Sequence, residues 1–378
     1  MRICFVTHGD VRRNAGTKRA FGMAGPLSRM GHQVAIAGVD TDGNRERLRW
    51  ESPDAEALFV PAGQSALREA AQKRRRIRNW KPDLVFVCTL GMRNHVSKLN
   101  VRGPKIVSEH NELLSHFFHT PLHERMRARF FEWLSVIGTD GLVCASPYLI
   151  EYFKKVALHW RGANFPMTSN QFAYARQLQN VDAVTVAKIK EIKGNRKMIL
   201  YMGGLAENYG AFDMVRAVKK LSEKRDDIVF YVLGRGTVEK KTHELTAELD
   251  ADGFIHFTGY IEESTNGVLG AWLSSADVFL APLRPTIQDM ARCPGKIFMY
   301  LPFKRPIVTR RLGVSYDVLG EDGFYYDPDT QDDMTAVLSR ALDVSANGWE
   351  PRCVKFEDHS WDARAVAFDK WIKDELFK

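Results

Sequence analysis

The stretch Lys197-Met-Ile-Leu-Tyr-Met202 begins the pattern that decides the fold. A Gly-Gly pair ends this apolar run, a helix-like segment covers Ala211–Leu221, and a second apolar run, Ile228–Leu233, ends at Gly234-Arg-Gly236. Short, continuously apolar strands that alternate with helices predict a parallel sheet covered on both faces. The series continues with predicted strands at Ile255–Thr258, Ala276–Leu280 and Pro306–Thr309.

The N-terminal half carries a series of the same kind. A helix-like segment at Lys18–Met30 follows the first apolar run, with apolar residues at helical spacing. The predicted strands are Arg2–Thr7, Gln33–Ala37, Leu84–Cys88, Lys105–Ser108 and Gly141–Ala145. The pattern breaks between about residues 160 and 196, which indicates a connection. The sequence therefore predicts an α/β protein with two doubly wound domains in tandem.

The composition is that of an ordinary globular protein, because 45% of the 378 residues are hydrophobic and 26% are charged. The apolar runs are far shorter than the ~20 residues that span a bilayer, and the N-terminus lacks a cleavable signal pattern. We therefore expect a cytoplasmic protein, soluble or peripheral on the inner face of the cell membrane. The odd number and wide spacing of the five cysteines argue against a disulfide framework and against a zinc site. Cys4, Cys88 and Cys144 are predicted to be buried free thiols.

Charge differs between the two halves. Residues 1–165 hold 26 Lys+Arg against 15 Asp+Glu, a net of +11, whereas residues 166–378 hold 28 against 31, a net of −3. Two runs in the basic half stand out, 73–80 and 123–134. Each is explained either by a solvated helix face or by an amphipathic surface that rests on an anionic membrane. Nucleic acid is not expected as a partner, because no nucleic-acid-binding motif accompanies the charge.

Several motifs then resemble the GT-B glycosyltransferases, particularly family 4. Gly16 followed by Leu27-Ser-Arg-Met-Gly31-His32-Gln-Val is similar to the opening loop, helix and turn of that family. Pro104-Lys-Ile-Val-Ser-Glu-His110-Asn resembles the strand that ends in an active-site histidine, and Asn164-Phe-Pro166 stands where the family enters its interdomain linker.

The second half extends the resemblance in the same order. Leu200-Tyr-Met-Gly203-Gly204 resembles the strand and loop that open the donor domain, and Phe257-Thr-Gly259-Tyr260-Ile resembles its base-binding turn. Pro294-Gly-Lys296-Ile-Phe-Met299-Tyr300-Leu resembles the signature Pro-x-Lys-x-x-Glu-Tyr-Leu. His359-Ser-Trp361-Asp is similar to the entry to the last helix, which in the family crosses back onto the first domain.

The resemblance implies a GT-B fold, with two Rossmann-like domains and a cleft between them. The expected domains are an acceptor-binding domain at 1–165, a linker at 166–196, a donor-binding domain at 197–357 and a returning helix at 358–378. The implied enzyme is a hexosyltransferase that retains anomeric configuration and moves a sugar from a nucleotide-diphosphate sugar to a glycan or lipid-linked acceptor, in polysaccharide or glycolipid biosynthesis. UDP or GDP is the expected nucleotide, with no cofactor and no bound metal.

The donor site implied by the resemblance lies in the second domain, apart from Gly16. Lys296 and Arg292 are expected to contact the diphosphate, although a solvated lysine at a helix start explains Lys296 too. Gly16 is explained either by close approach to the phosphate or by an ordinary turn. The expected donor-binding residues are Gly16, Gly204, Gly234, Tyr260, Ile261, Arg292, Lys296 and Met299.

The first domain supplies the remaining candidates. His110 is expected, by resemblance, to contact the transferred sugar or the acceptor, whereas a strand-end histidine by itself is more often structural. His8, Glu109 and Glu112 are candidates for acceptor contact, and the two glutamates are alternatively solvated loop carboxylates.

The chain departs from the family pattern at the donor site. The family's two glutamates are Ala291 and Met299 here, and Gly204 and Tyr209 stand near the usual Arg and Lys clamp on the diphosphate. Two alternatives therefore stay open: a nucleotide-sugar 2-epimerase-like enzyme, and a degenerate non-catalytic GT-B binding subunit. A dinucleotide-dependent oxidoreductase is disfavoured, because the first loop lacks G-x-G-x-x-G.

Overall fold

The protein is described here by a computed structural model that covers residues 1–88, 103–116 and 121–378. The chain forms two compact units, each assembled from separate segments. The first unit comprises Met1–Ala175, Met290–Cys293 and Asp358–Lys378. The second unit comprises Arg176–Asp289 and Pro294–Glu357.

The first unit is built on a parallel sheet of seven strands in the order β4-β2-β1-β6-β7-β8-β9. A separate pair joins β3 to β5. The strands are β1 Arg2–Val6, β2 Gln33–Ala37, β3 Val39–Asp40, β4 Glu56–Ala57, β5 Val60–Pro61, β6 Leu84–Val87, β7 Lys105–His110, β8 Gly141–Cys144 and β9 Met167–Ser169.

Both faces of this sheet are covered, because successive residues of β1 enter different cores. Ile3 and Phe5 pack in one apolar cluster with α1 (Ala15–Arg29), whereas Cys4 and Val6 pack in another with α3 (Ala66–Trp80). Cys4, Cys88 and Cys144 are buried free thiols, as predicted. Burial raises the pKa of Cys4 to about 12.

The remaining helices of the first unit include one from the end of the chain. They are α2 Asp42–Glu51, α4 Leu122–Ile137, α5 Pro147–Trp160 and α14 Trp361–Trp371. Helix α14 packs on α1 so closely that a Cβ added to Gly22 would lie 2.3 Å from the Trp361 ring. The side chains of Phe368 and Trp371 complete the same apolar cluster.

The second unit contains a six-stranded parallel sheet in the order β12-β11-β10-β13-β14-β15. The strands are β10 Lys197–Met202, β11 Ile228–Leu233, β12 Ile255–Gly259, β13 Val278–Leu280, β14 Ile307–Thr309 and β15 Phe324–Tyr325. The helices are α6 Ala183–Lys193, α7 Ala211–Ser222, α8 Glu239–Glu248, α9 Val268–Ser274, α11 Gly295–Tyr300, α12 Gly313–Leu319 and α13 Met334–Ala346, while α10 is Ile287–Ala291.

The predicted fold class, α/β with two Rossmann-like parallel sheets, is confirmed. Three strands have the predicted bounds, β2, β10 and β11. Helix α1 begins three residues earlier than predicted, because the Asn14 side chain accepts a hydrogen bond from the Thr17 amide at 3.0 Å and caps the helix. Gly16 therefore lies in the first turn of α1 and not in a loop.

The basic run 73–80 is predicted to be either a solvated helix face or a membrane surface, but the residues at its two ends are buried. Lys73 is fully buried, forms an ion pair of 2.7 Å with Glu69 and donates to the Thr7 carbonyl oxygen. Trp80 is also buried, and its indole donates to Glu56 at 2.7 Å. Of this run, Arg75, Arg76 and Arg78 are exposed. The lysine and the tryptophan thus serve the interior of the first unit.

Candidate donor site

Three glycine turns follow neighbouring strands of the second unit. Strands β10, β11 and β12 are parallel neighbours, so their carboxyl ends meet at one edge of the sheet. That edge is where open α/β sheets bind ligands. The strand ends carry Gly203, Gly234 and Gly259, whose φ angles of +145°, +154° and +75° disfavour any other residue.

The first two turns are in backbone contact. A Cβ on Gly234 would lie 1.9 Å from the Gly203 carbonyl oxygen, and a Cβ on Gly236 would lie 2.0 Å from that of Leu205. The amide of Leu205 donates to the carbonyl of Arg235 at 3.0 Å, which ties the turns together. The glycines thus allow a close approach of two loops that side chains would prevent.

Lys296 brings a positive charge to the first of these turns. Its Nζ lies 3.8 Å from the centroid of the Tyr201 ring and 5.8 Å from that of Tyr209. A Cβ on Gly203 would be 3.0 Å from the same nitrogen. The Tyr201 hydroxyl donates to the Gly204 carbonyl at 2.7 Å. The ammonium group is therefore held at the glycine turns by an aromatic face.

The other predicted donor residues of the second unit lie on the same elements. Gly204 is exposed, Tyr260 is 47% exposed and Ile261 is half-buried, immediately after Gly259. Met299 is only 8% exposed and follows Lys296 by three residues in α11. A thioether offers no strong acceptor to a hydroxyl group, so Met299 supplies packing at this place and not a carboxylate.

Arg292 is placed differently from its prediction. Arg292 is predicted to lie in the donor-binding domain at 197–357, but residues 290–293 belong to the first unit. The physical reason is that Ala291 is fully buried in an apolar cluster of that unit, and its carbonyl accepts a hydrogen bond from Ser146 at 2.5 Å. Arg292 is buried beside it. Its contact with a phosphate stays a prediction.

His110 ends β7 but does not face solvent. Its ring is fully buried, lies with its centroid 4.0 Å from that of Phe153 at a tilt of 40°, and makes a 2.6 Å hydrogen bond through Nε2 with the Ser135 hydroxyl. Helices α4 and α5 supply these two neighbours. Contact with a sugar stays a prediction, and this burial argues against it.

Glu109 is not the solvated carboxylate of one prediction. It is buried and forms a 2.7 Å ion pair with Arg19, whose guanidinium also donates to the Asn170 carbonyl. Burial raises the pKa of Glu109, and the charge of Arg19 opposes that shift. Glu112 and His8 are partly exposed. Among these candidates, only Glu112 and His8 are accessible for acceptor contact.

An exposed apolar stripe lies on α4, the helix that contains the basic run 123–134. Leu122, Met126 and Phe130 recur every four residues and are 72%, 66% and 52% exposed. Arg127 and Arg129 alternate with them and are exposed. Trp133 connects this helix to Trp160 of α5, with ring centroids 5.6 Å apart. We call this surface the α4 face.

Within residues 1–88, 103–116 and 121–378, His, Cys, Asp and Glu nowhere form a group of three or more that could hold a metal ion. Over the same ranges, every helix is too short or too polar to cross a membrane.

Comparison with solved structures shows which fold the chain has. The chain covers solved structures of GT-B glycosyltransferases from end to end. For sucrose-phosphate synthase from Thermosynechococcus elongatus, the TM-score is 0.75 at 14% identity, over 100% of this chain and 99% of that one. For HepE from Anabaena, bound to UDP and glucose, the values are 0.67 and 11%, over 99% of both chains. For WaaG, a glycosyltransferase of lipopolysaccharide biosynthesis, they are 0.64 and 15%, over 97% and 95%.

The fold is therefore that of the GT-B glycosyltransferases, as the motifs predicted. Residues 196–343 match the family described as "Glycosyl transferases group 1". The match is confined to that range, and the expected enzyme class, a glycosyltransferase, is confirmed. No curated protein matches the sequence.

Two residues at the turns, Tyr201 and Arg235, are absent from the predicted donor site. The Tyr201 ring lies against the Lys296 ammonium group, a contact that the apolar strand pattern does not indicate. Arg235 stands between Gly234 and Gly236. The sequence does contain a signal for Arg235, because a cation inside a glycine turn is well placed for an anion.

Proposed function

We propose that the protein transfers a sugar from a nucleotide-diphosphate sugar to a glycan or lipid-linked acceptor, with retention of configuration and without a bound metal ion. The observation that carries the proposal is the position of Lys296 over the glycine turns, inside the domain that matches the group 1 family. A leaving diphosphate needs positive charge and backbone N–H groups close to it. The glycine turns allow its oxygens to approach the backbone closely.

The donor nucleotide proposed is UDP. Its support is that HepE has been solved with UDP and with UDP-glucose, and a pneumococcal O-GlcNAc transferase of the same fold with UDP and GlcNAc. In the proposed reaction, the bond between the sugar C1 and the diphosphate oxygen breaks. The acceptor oxygen bonds to C1 from the same face, and its proton passes to the leaving phosphate.

The first test is a thermal-shift screen against UDP, GDP, ADP, CMP and dTDP, each with and without Mg²⁺. A ligand at about 100 times its Kd stabilises the folded state by roughly 2.7 kcal/mol. We expect a shift with UDP that is the same in EDTA. No shift with any nucleotide would favour the non-catalytic binding subunit. A free epimerised nucleotide sugar, formed without acceptor, would favour the 2-epimerase-like enzyme.

The acceptor proposed is lipid-linked, and the α4 face is proposed to rest on an anionic membrane. The exposed apolar stripe of this helix can enter the headgroup region of the membrane. Arg127 and Arg129 place positive charge beside the stripe. The structure weakens the case for the other basic run, since Lys73 and Trp80 are buried. The likeness in fold to WaaG is compatible with a glycolipid acceptor.

Vesicle binding tests the α4 face. We expect the protein to float with vesicles that contain 30% anionic lipid and to stay behind with neutral ones. The R127Q/R129Q variant is expected to bind roughly 30-fold more weakly, because each cation near the surface contributes about 1 kcal/mol. R75Q/R76Q on α3 is the matched control, since both arginines are exposed. If both double variants lost vesicle binding equally, net charge alone, and not the α4 face, would drive the binding.

A further inference from the structure

The proposed donor site needs more positive charge than Lys296 supplies. A diphosphate carries several negative charges. Gly204 in the first glycine turn and Tyr209 at the end of the loop that follows it are both uncharged. The arginines that follow β13 and β14 are each engaged with a carboxylate. Arg284 pairs with Asp213 at 3.0 Å, and Arg310 pairs with Asp327 at 3.2 Å.

Arg235 differs from these two arginines in its position and in its ion pairing. It lies inside the second glycine turn, and its side chain is exposed. Within the described part of the chain, no carboxylate pairs with its guanidinium. Its charge is therefore available to a ligand without first separating an ion pair.

The backbone of Arg235 is fixed by its neighbours. Its carbonyl accepts the hydrogen bond from Leu205 of the first turn at 3.0 Å, and the glycines on both sides are in backbone contact with that turn. The guanidinium reaches toward the third turn, where a Cβ on Gly259 would lie 3.4 Å from Nε and 3.5 Å from Nη2. One residue thus joins the first turn, through its backbone, to the third, through its side chain.

We propose that Arg235 is a specificity-determining residue that binds the diphosphate of the nucleotide, together with Lys296. Lys296 covers the first turn as a point charge, while Arg235 presents a planar fork that bonds two phosphate oxygens at once. This inference rests on the proposed function, because it assigns a contact within the same donor site.

The test compares ligands that differ only in phosphate number. Binding of uridine, UMP and UDP, with the matching guanosine series, is measured by calorimetry for the wild type and for R235Q. Removal of one charged phosphate contact is expected to weaken UDP binding roughly 10- to 100-fold and to leave uridine unchanged. R235K is expected to recover part of the loss, and the salt dependence of UDP binding should decrease in R235Q.

The matched control is K240Q. Lys240 is 91% exposed and lies in α8, the helix that follows the same turn, so its charge is close in sequence but outside the turn. Equal weakening of uridine and UDP by R235Q would assign the residue to the base and overturn the phosphate contact. Unchanged UDP binding in R235Q would also overturn the phosphate contact. The proposed function would still stand in that case, because the wild-type protein binds UDP. If wild-type protein binds neither diphosphate, the proposed function itself fails.

Discussion

Replacing Lys296 by methionine is expected to lower the turnover of a nucleotide-diphosphate sugar by roughly 100- to 1000-fold. The ammonium lies over the first glycine turn, 3.8 Å from the Tyr201 ring. A cation there stabilises the charge that develops on the leaving diphosphate, and one such contact contributes about 3 kcal/mol in the transition state. Methionine keeps an unbranched apolar side chain against Tyr201, so the charge is removed with little change in packing.

The measurement is release of the nucleoside diphosphate, followed at saturating and at low donor concentration. A drop in kcat with a small change in KM indicates a role in the transition state, whereas a rise in KM alone indicates ordinary donor binding. Lys241→Met is the matched control, because that lysine is exposed on α8. Wild-type turnover in K296M would return Lys296 to its alternative explanation, a solvated lysine at a helix start.

Replacing Glu109 by leucine is expected to destabilise the first unit by about 3–5 kcal/mol. The Arg19 guanidinium lies 2.7 Å from the Glu109 carboxylate, and both side chains are buried. Loss of one partner leaves the other charge buried without compensation, which costs more than the pair itself contributes. For a unit of this size, the melting temperature of its transition should fall by roughly 10 °C or more.

A double variant separates the ion pair from packing. R19M/E109L removes both charges, so it is expected to be more stable than either single variant and to recover most of the loss. Calorimetry is the appropriate measurement, because the two units can give separate transitions. A double variant as unstable as the sum of the single variants would show that the residues act independently, and that their burial as a pair contributes nothing.

The longer strands could be predicted to within two residues at each end, because a buried parallel strand has a local signature, whereas the short strands β3, β4, β5, β9 and β15 were not predicted. Five or six consecutive apolar residues between glycine or polar residues identify β10 and β11, whose bounds are those predicted. The predicted start of helix α1 is three residues late, because apolar spacing does not show the side-chain cap by Asn14. Local patterns therefore carry the elements and their order.

The candidate site was only partly predictable, because its contacts join residues far apart in the chain. Lys296 is recognised by its motif, but its seat on Tyr201 depends on two elements 95 residues apart. Arg19 and Glu109 are 90 residues apart, and no local sequence pattern around either residue indicates that they pair. Glu69, four residues before Lys73, is a local signal for an ion pair on one helix face. No local pattern shows that Lys73 also donates to the Thr7 carbonyl oxygen.

The first unit is discontinuous in sequence, and this affects the order in which a ribosome can complete the protein. The segment 358–378 supplies α14, whose Trp361 ring lies against Gly22 and whose Phe368 contacts Phe86. The unit that begins first therefore finishes last, after the whole of the second unit has been synthesised. Until then, the apolar surface of α1 is uncovered in the nascent chain and available to chaperones or to a neighbouring nascent chain.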